Sequence, residues 1–128
     1  MLELREVIPC TFLNEVYQAL SAGQPLSRLE KNGVLHALQV LIENAIGKAK
    51  QILKAKHEPI PISAYDAFDS LARLGAIKQT ELEQWNQAIG LRNRIVHEYM
   101  NIDIQLVMLL ISQKQYTFIT EFLYKPIT

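Results

Sequence analysis

The sequence predicts an all-α fold, an antiparallel bundle of about five helices in one domain over residues 1–128. Apolar residues recur at three- and four-residue spacing along most of the chain. No stretch alternates as a half-buried strand would, and no internal repeat or low-complexity segment stands out. The five Gly and five Pro fall in clusters that read as punctuation between helices, and the short loops make neighbouring helices antiparallel. Hydrophobic residues make up 49% of the 128, which suits a folded domain with its own core.

A first helix is read over Thr11–Leu20, with Phe12, Leu13, Val16, Tyr17 and Leu20 on one side. Pro9 and Gly23-Gln24-Pro25 bracket it. Ser27-Arg28-Leu29-Glu30 has capping-box spacing and opens a second helix. Its stripe runs through Leu29, Val34, Leu35, Leu38, Leu41, Ile42, Ala45, Ile46, Ala49, Ile52 and Leu53 for roughly 28 residues, to the break at Glu58-Pro59-Ile60-Pro61. Lys48, Lys50, Lys54 and Lys56, with no acid between Glu43 and Glu58, either complement the helix dipole or track a phosphate backbone. Ser63-Ala64-Tyr65-Asp66 starts a short third helix holding Phe68, Leu71 and Leu74, with Gly75 as a left-handed cap. Thr80-Glu81-Leu82-Glu83 is a second capping box and opens a fourth. A final helix begins near Asp103 and passes Leu106, Val107, Leu110, Ile111, Phe118, Ile119 and Phe122 to Pro126.

Thirteen basic residues balance thirteen acidic ones, which argues against a broad electrostatic grip on nucleic acid but not against a small local site. The single Cys10 cannot form an internal disulfide and reads as a small buried residue rather than a nucleophile. Glu3 and Glu6 stand where a signal peptide would be basic, and the longest apolar run, Leu106–Ile111, is too short to span a bilayer. A soluble, cytoplasmic protein with no membrane contact is expected.

Chemistry concentrates at Arg92-Asn93-Arg94-Ile95-Val96-His97-Glu98-Tyr99. At about 100° per residue, Leu82, Trp85, Ile89, Arg92 and Val96 form one stripe of the fourth helix, so Arg92 interrupts apolar neighbours and must find partners. A second row holds Asn86, Gly90, Asn93 and His97, and Gly90 leaves room for another backbone or a ligand. Tyr99 returns to the side of Arg92 if the helix continues that far, so that the four polar groups flank one groove. Histidine gives and takes protons near neutral pH, and arginine holds phosphate. The plainer account makes His97 a cationic helix end, Arg92 the partner of a core carboxylate and Tyr99 a wedge with a wet hydroxyl. Arg94 and Glu98 read as a surface ion pair, and Trp85 as core or a dimer contact.

Histidines at 36, 57 and 97, without acidic or Cys neighbours at ligand spacing, make a poor metal site, and no metal or other cofactor is expected. Gly-rich phosphate loops, a Gly-x-Ser-x-Gly elbow and a Cys/His nucleophile pair are all missing from the sequence.

Arg92-x-x-x-x-His97-x-Tyr99, with Asn93 directly after the arginine, resembles the signature of the HEPN superfamily. More narrowly, it resembles that of the HepT-like toxins of HepT/MntA toxin–antitoxin systems. The long second helix, the loop from Pro59 to Tyr65, the segment Phe68–Ile77 and the turn Asn101-Ile102-Asp103 extend the likeness over roughly residues 11–123. The resemblance implies a HEPN-like homodimer whose fourth helices meet and share one cleft that cleaves RNA without metal. In it His97 is the general acid/base, Arg92 holds the scissile phosphate and Asn93 orients substrate or His97. Tyr99 is the tyrosine to which an MntA-like nucleotidyltransferase antitoxin attaches AMP. RNA brings its own nucleophile, the 2′-hydroxyl, so protein groups need only move protons and stabilise charge on phosphorus. A two-fold axis would double one His into a base and an acid. The competing functions are a non-catalytic module that binds a nucleotide or presents Tyr99 to a nucleotidyltransferase, and a purely structural helical dimer.

Overall fold

The computed structural model describes residues 4–127, with side chains from Thr11 onward. Its α-helices are α1 (Leu4–Ser21), α2 (Arg28–Ala55), α3 (Ala64–Arg73), α4 (Leu82–His97), α5 (Ile104–Ser112) and α6 (Thr117–Tyr124). Short 3-10 turns at Gln79–Glu81 and Tyr99–Asn101 flank α4, and no strand is present among the described residues. The expected burial of Cys10 and the reading of Glu3 lie outside the residues and side chains described.

Helix α2 starts as its sequence dictates. The Ser27 hydroxyl accepts from the Glu30 N–H at 3.1 Å, and Glu30 Oε1 accepts from the Ser27 N–H at 2.9 Å. The Ser27 backbone bond, with a smaller share from its side chain, holds the Glu30 carboxyl below the usual carboxylate range. Its contribution is therefore present above the unfolded pKa and lost as pH falls through the folded one. Leu29 is exposed rather than part of the buried stripe, since it precedes the first buried position, Val34.

The prolines do not end α2. It closes at Ala55, where His57 takes a left-handed φ of 58° and the Glu58 N–H donates to the Leu53 carbonyl at 2.9 Å. Gly75, at φ 77°, closes α3 in the same way, with the Ala76 N–H on the Leu71 carbonyl at 2.9 Å.

Two starts and one continuation differ from expectation. Helix α1 begins at Leu4 and runs through Pro9, whose missing N–H forfeits one bond that an 18-residue helix absorbs. The box at Thr80–Glu83 does not form, because Glu81 instead reaches back to the Lys78 N–H at 3.1 Å and a 3-10 turn precedes α4. The expected final helix is two. Ser112-Gln113-Lys114-Gln115 has no apolar group to bury, Lys114 turns left-handed at φ 53°, and the Gln115 N–H donates to the Leu110 carbonyl at 2.9 Å. This reversal lets α5 pack on α1 and α6 on α2.

Helix α2 is the central element, packing against α1, α3, α4 and α6. Trp85, 1% exposed, stacks on Phe68 at 4.3 Å between ring centroids and meets Phe118 and Phe122 edge-on at 4.9 Å. It is a core residue.

Lys48 is also buried. It neither complements its own helix end nor tracks phosphate. Its Nζ donates to the carbonyls of Phe122, Leu123 and Lys125, closing α6, whose last carbonyls lack intrahelical donors. Replacing Lys48 by Met should destabilise the fold by about 2–3 kcal/mol, since the stem volume stays and charged hydrogen bonds go. Urea unfolding reads this as a lowered midpoint, and an unshifted midpoint would contradict the capping role.

Candidate active site

Helix α4 presents three of the expected residues within two turns. Trp85, Ala88, Ile89 and Ile95 are its buried positions. Ile95 takes the place expected for Val96, which is 45% exposed, because the covered side runs i, i+3 beyond Arg92 rather than i, i+4.

Arg92 sits on that covered side, and the partner its position demands comes from α2. Arg92 Nη1 lies 3.8 Å from Glu43 Oε2, with the side chains 24% and 42% exposed. That separation is too long for a hydrogen bond, and the buried Arg92 Nε has no partner among the described residues. A partly wet pair of this kind is worth only about 0–1 kcal/mol. Arg92 is thus held without being locked, and its guanidinium can take a doubly hydrogen-bonded anion instead. Sequence reasoning noted Glu43 only as the last acid before the lysines. The usable signal was the need of an arginine in an apolar stripe for a carboxylate on the helix facing it.

Asn93 is half-buried, and His97 is exposed as the last residue of α4. On an ideal helix Asn93 and His97 stand about 40° apart and about 6 Å along the axis, whereas Arg92 and His97 are about 140° apart. Helical spacing does not bring Tyr99 back beside Arg92. Glu98 leaves the helix at φ −132°, ψ 34°, and Tyr99, 42% exposed, opens the following 3-10 turn. Arg94 and Glu98 form no ion pair among the described residues, although the Glu98 N–H still donates to the Arg94 carbonyl at 2.7 Å.

A cavity of about 560 Å³ opens between α2, α4, α5 and α6, walled by Leu91, Leu106, Leu110 and Ile119 with Arg94 among its lining residues. A smaller one of about 190 Å³ adjoins it at Glu98, Asn101 and Asp103. Neither is lined by Arg92, Asn93, His97 or Tyr99. Within one chain these four do not border a groove of either cavity. His97 and Tyr99 stand on open surface with Val96 and Met100, the latter 87% exposed, whereas Arg92 and Asn93 are half-buried. The gap expected at Gly90 is met from α3, where the Tyr65 hydroxyl lies 3.6 Å from the point a Cβ would occupy.

Chemically, the arrangement offers an accessible imidazole, a loosely paired guanidinium and an amide between them. Among the described residues no group of three or more His, Cys, Asp or Glu lies together as metal ligands would, and no helix is long and apolar enough to cross a membrane.

A family model described as Ribonuclease HepT-like matches residues 10–125. The mRNA nuclease HepT of Shewanella oneidensis is 31% identical over 78 residues, which are 61% of this chain and 59% of that protein's length. A chain in a crystal structure of a toxin–antitoxin with AMP-PNP superposes with a TM-score of 0.70 at 18% identity, covering 95% of this chain and 99% of that one. At that identity the likeness bears on the fold, which is shared.

Proposed function

We propose, from the premise that this chain belongs to the HepT-like ribonuclease family, that it is a metal-independent RNA endonuclease and the toxin of a toxin–antitoxin pair. The observation that carries the reading is the pairing, on the last turns of one helix, of an exposed His97 with an Arg92 held only at 3.8 Å. The relative of known name acts on mRNA by that name, and messenger RNA is the substrate class we adopt.

The working unit is a homodimer in which two copies of α4 meet. Exposed Val96 and Met100 beside His97 supply apolar surface for that contact. Each chain is taken as one HEPN-like domain that brings half the site. One His97 removes the proton of the 2′-hydroxyl, whose oxygen attacks the adjacent phosphorus. The bond to the 5′-oxygen breaks, and the partner's His97 protonates that leaving oxygen. Arg92 leaves Glu43 to bind the phosphate and the charge that builds on it, and Asn93 orients substrate or imidazole. Two Arg92 guanidiniums facing each other across the axis repel until a phosphate lies between them, which favours the occupied site.

Silencing falls to a nucleotidyltransferase antitoxin of the MntA kind. It transfers AMP from ATP to the Tyr99 hydroxyl with release of pyrophosphate, and the 42% exposure of Tyr99 leaves that oxygen's side chain reachable. The added anion competes for Arg92 and blocks RNA. The Glu43–Arg92 pair supports a second reading, in which Arg92 is structural and the chain only binds nucleotide or presents Tyr99 to that enzyme. The test is RNA incubated with the pure chain in excess EDTA. The nuclease reading expects shortened RNA, and intact RNA favours the second.

A further inference from the structure

Tyr65, the second residue of α3, has no part in the chemistry above. Its side chain is 41% exposed, and its hydroxyl makes no hydrogen bond among the described residues. That hydroxyl leans across α4 at Gly90, 3.6 Å from where a Cβ would stand. Gly90 belongs to the row Asn86, Gly90, Asn93, His97, so the phenol fills the one place in the row that lacks a side chain. On an ideal helix Gly90 and His97 are about 20° apart and about 10.5 Å along the axis. An extended strand with its scissile phosphate at His97 reaches Tyr65 within a nucleotide or two.

The neighbours select what can bind there. Asp66 is exposed next to Tyr65, and the carboxylate of Asp69 one turn on is already paired with Arg73 at 3.2 Å. The charged side chains of α3 thus supply no free cation to grip a phosphate. Ile62, 98% exposed, adds apolar surface three residues earlier. An exposed ring with no cation over it among the described residues offers a face to a flat neutral group, and every base carries a π-face on which an aromatic side chain stacks.

We propose that Tyr65 is a base-stacking subsite that takes an RNA base one or two nucleotides from the phosphate at His97. This rests on the nuclease reading and adds to it a requirement for substrate beyond the scissile dinucleotide.

The test compares wild type with Tyr65→Ala, Tyr65→Leu and Tyr65→Phe. Leucine keeps an apolar side chain at the position without an aromatic face, phenylalanine keeps the ring without the hydroxyl that reaches Gly90, and thermal unfolding confirms that each variant folds. The ratio of kcat/KM for a hexanucleotide over that for a dinucleotide should fall about tenfold in the Ala and Leu variants, the usual size of losing one stacked base, and return with Phe. Binding of a 2′-O-methyl hexanucleotide, which carries no free nucleophile, should weaken by a similar factor in Ala and Leu. An unaltered ratio with unaltered binding overturns the subsite, as does a Leu variant that behaves like wild type. Failure of the nuclease reading looks different: neither RNA is cut, while the 2′-O-methyl arm still ranks the Tyr65 variants.

Discussion

Replacing His97 by alanine should lower RNA cleavage about 10²–10⁴-fold, the range expected when a positioned proton-transfer group is removed. The fold should survive. His97 is exposed and ends α4, so its loss removes at most a favourable charge at a helix C-terminus, about 0.3–1 kcal/mol. This split separates a catalytic from a structural His97. Initial rates on a fluorescent oligonucleotide in EDTA, set beside thermal unfolding of the same preparations, measure both sides of it. Cleavage retained by the variant, with contaminating nuclease excluded, would remove His97 from the mechanism. Arg92→Ala should also abolish cleavage, but it is a poorer witness because it leaves Glu43 without its counter-charge.

The largest expected effect on stability is at Trp85. Truncation to alanine opens a cavity against Phe68, Phe118 and Phe122, and Trp-to-Ala changes in cores cost about 3–5 kcal/mol. Whole domains of this size are stable by only about 5–15 kcal/mol, so the variant should unfold at markedly lower urea or fail to accumulate. Trp85→Phe should cost far less, because the ring stack persists and the buried Nε1–H, which has no partner among the described residues, disappears. Trp85 is the only tryptophan, so circular dichroism rather than intrinsic fluorescence must follow the transition. A loss below about 1 kcal/mol for the alanine variant would contradict the core placement.

Features fixed by neighbouring residues were the ones legible in the sequence. Ser27 and Glu30 specify each other three residues apart, Gly75 specifies a left-handed end, and α2 follows from its own periodicity. Where two local signals competed, the nearer geometry won: Glu81 satisfies Lys78 and pre-empts the box at Thr80. The break between α5 and α6 was hidden because apolar residues on both sides keep a helical rhythm across four polar ones. What the chain brings together from afar could not be read. Lys48 serves carbonyls 74 to 77 residues away, and Glu43 reaches Arg92 from another helix. The candidate site shows the same division. The α4 positions of Arg92, Asn93 and His97 followed from spacing, whereas the turn that carries Tyr99 off the helix begins at Glu98, where no Gly or Pro marks it.

The central claim is that this fold cleaves RNA with its own side chains and the substrate's 2′-hydroxyl. Mass spectrometry of a defined RNA oligonucleotide incubated with the pure chain in excess EDTA tests it most directly. The account predicts fragments ending in 2′,3′-cyclic phosphate, with 5′-hydroxyl partners, that are absent when His97→Ala replaces wild type. Uncut RNA, or fragments bearing 5′-phosphate and 3′-hydroxyl ends, would contradict it.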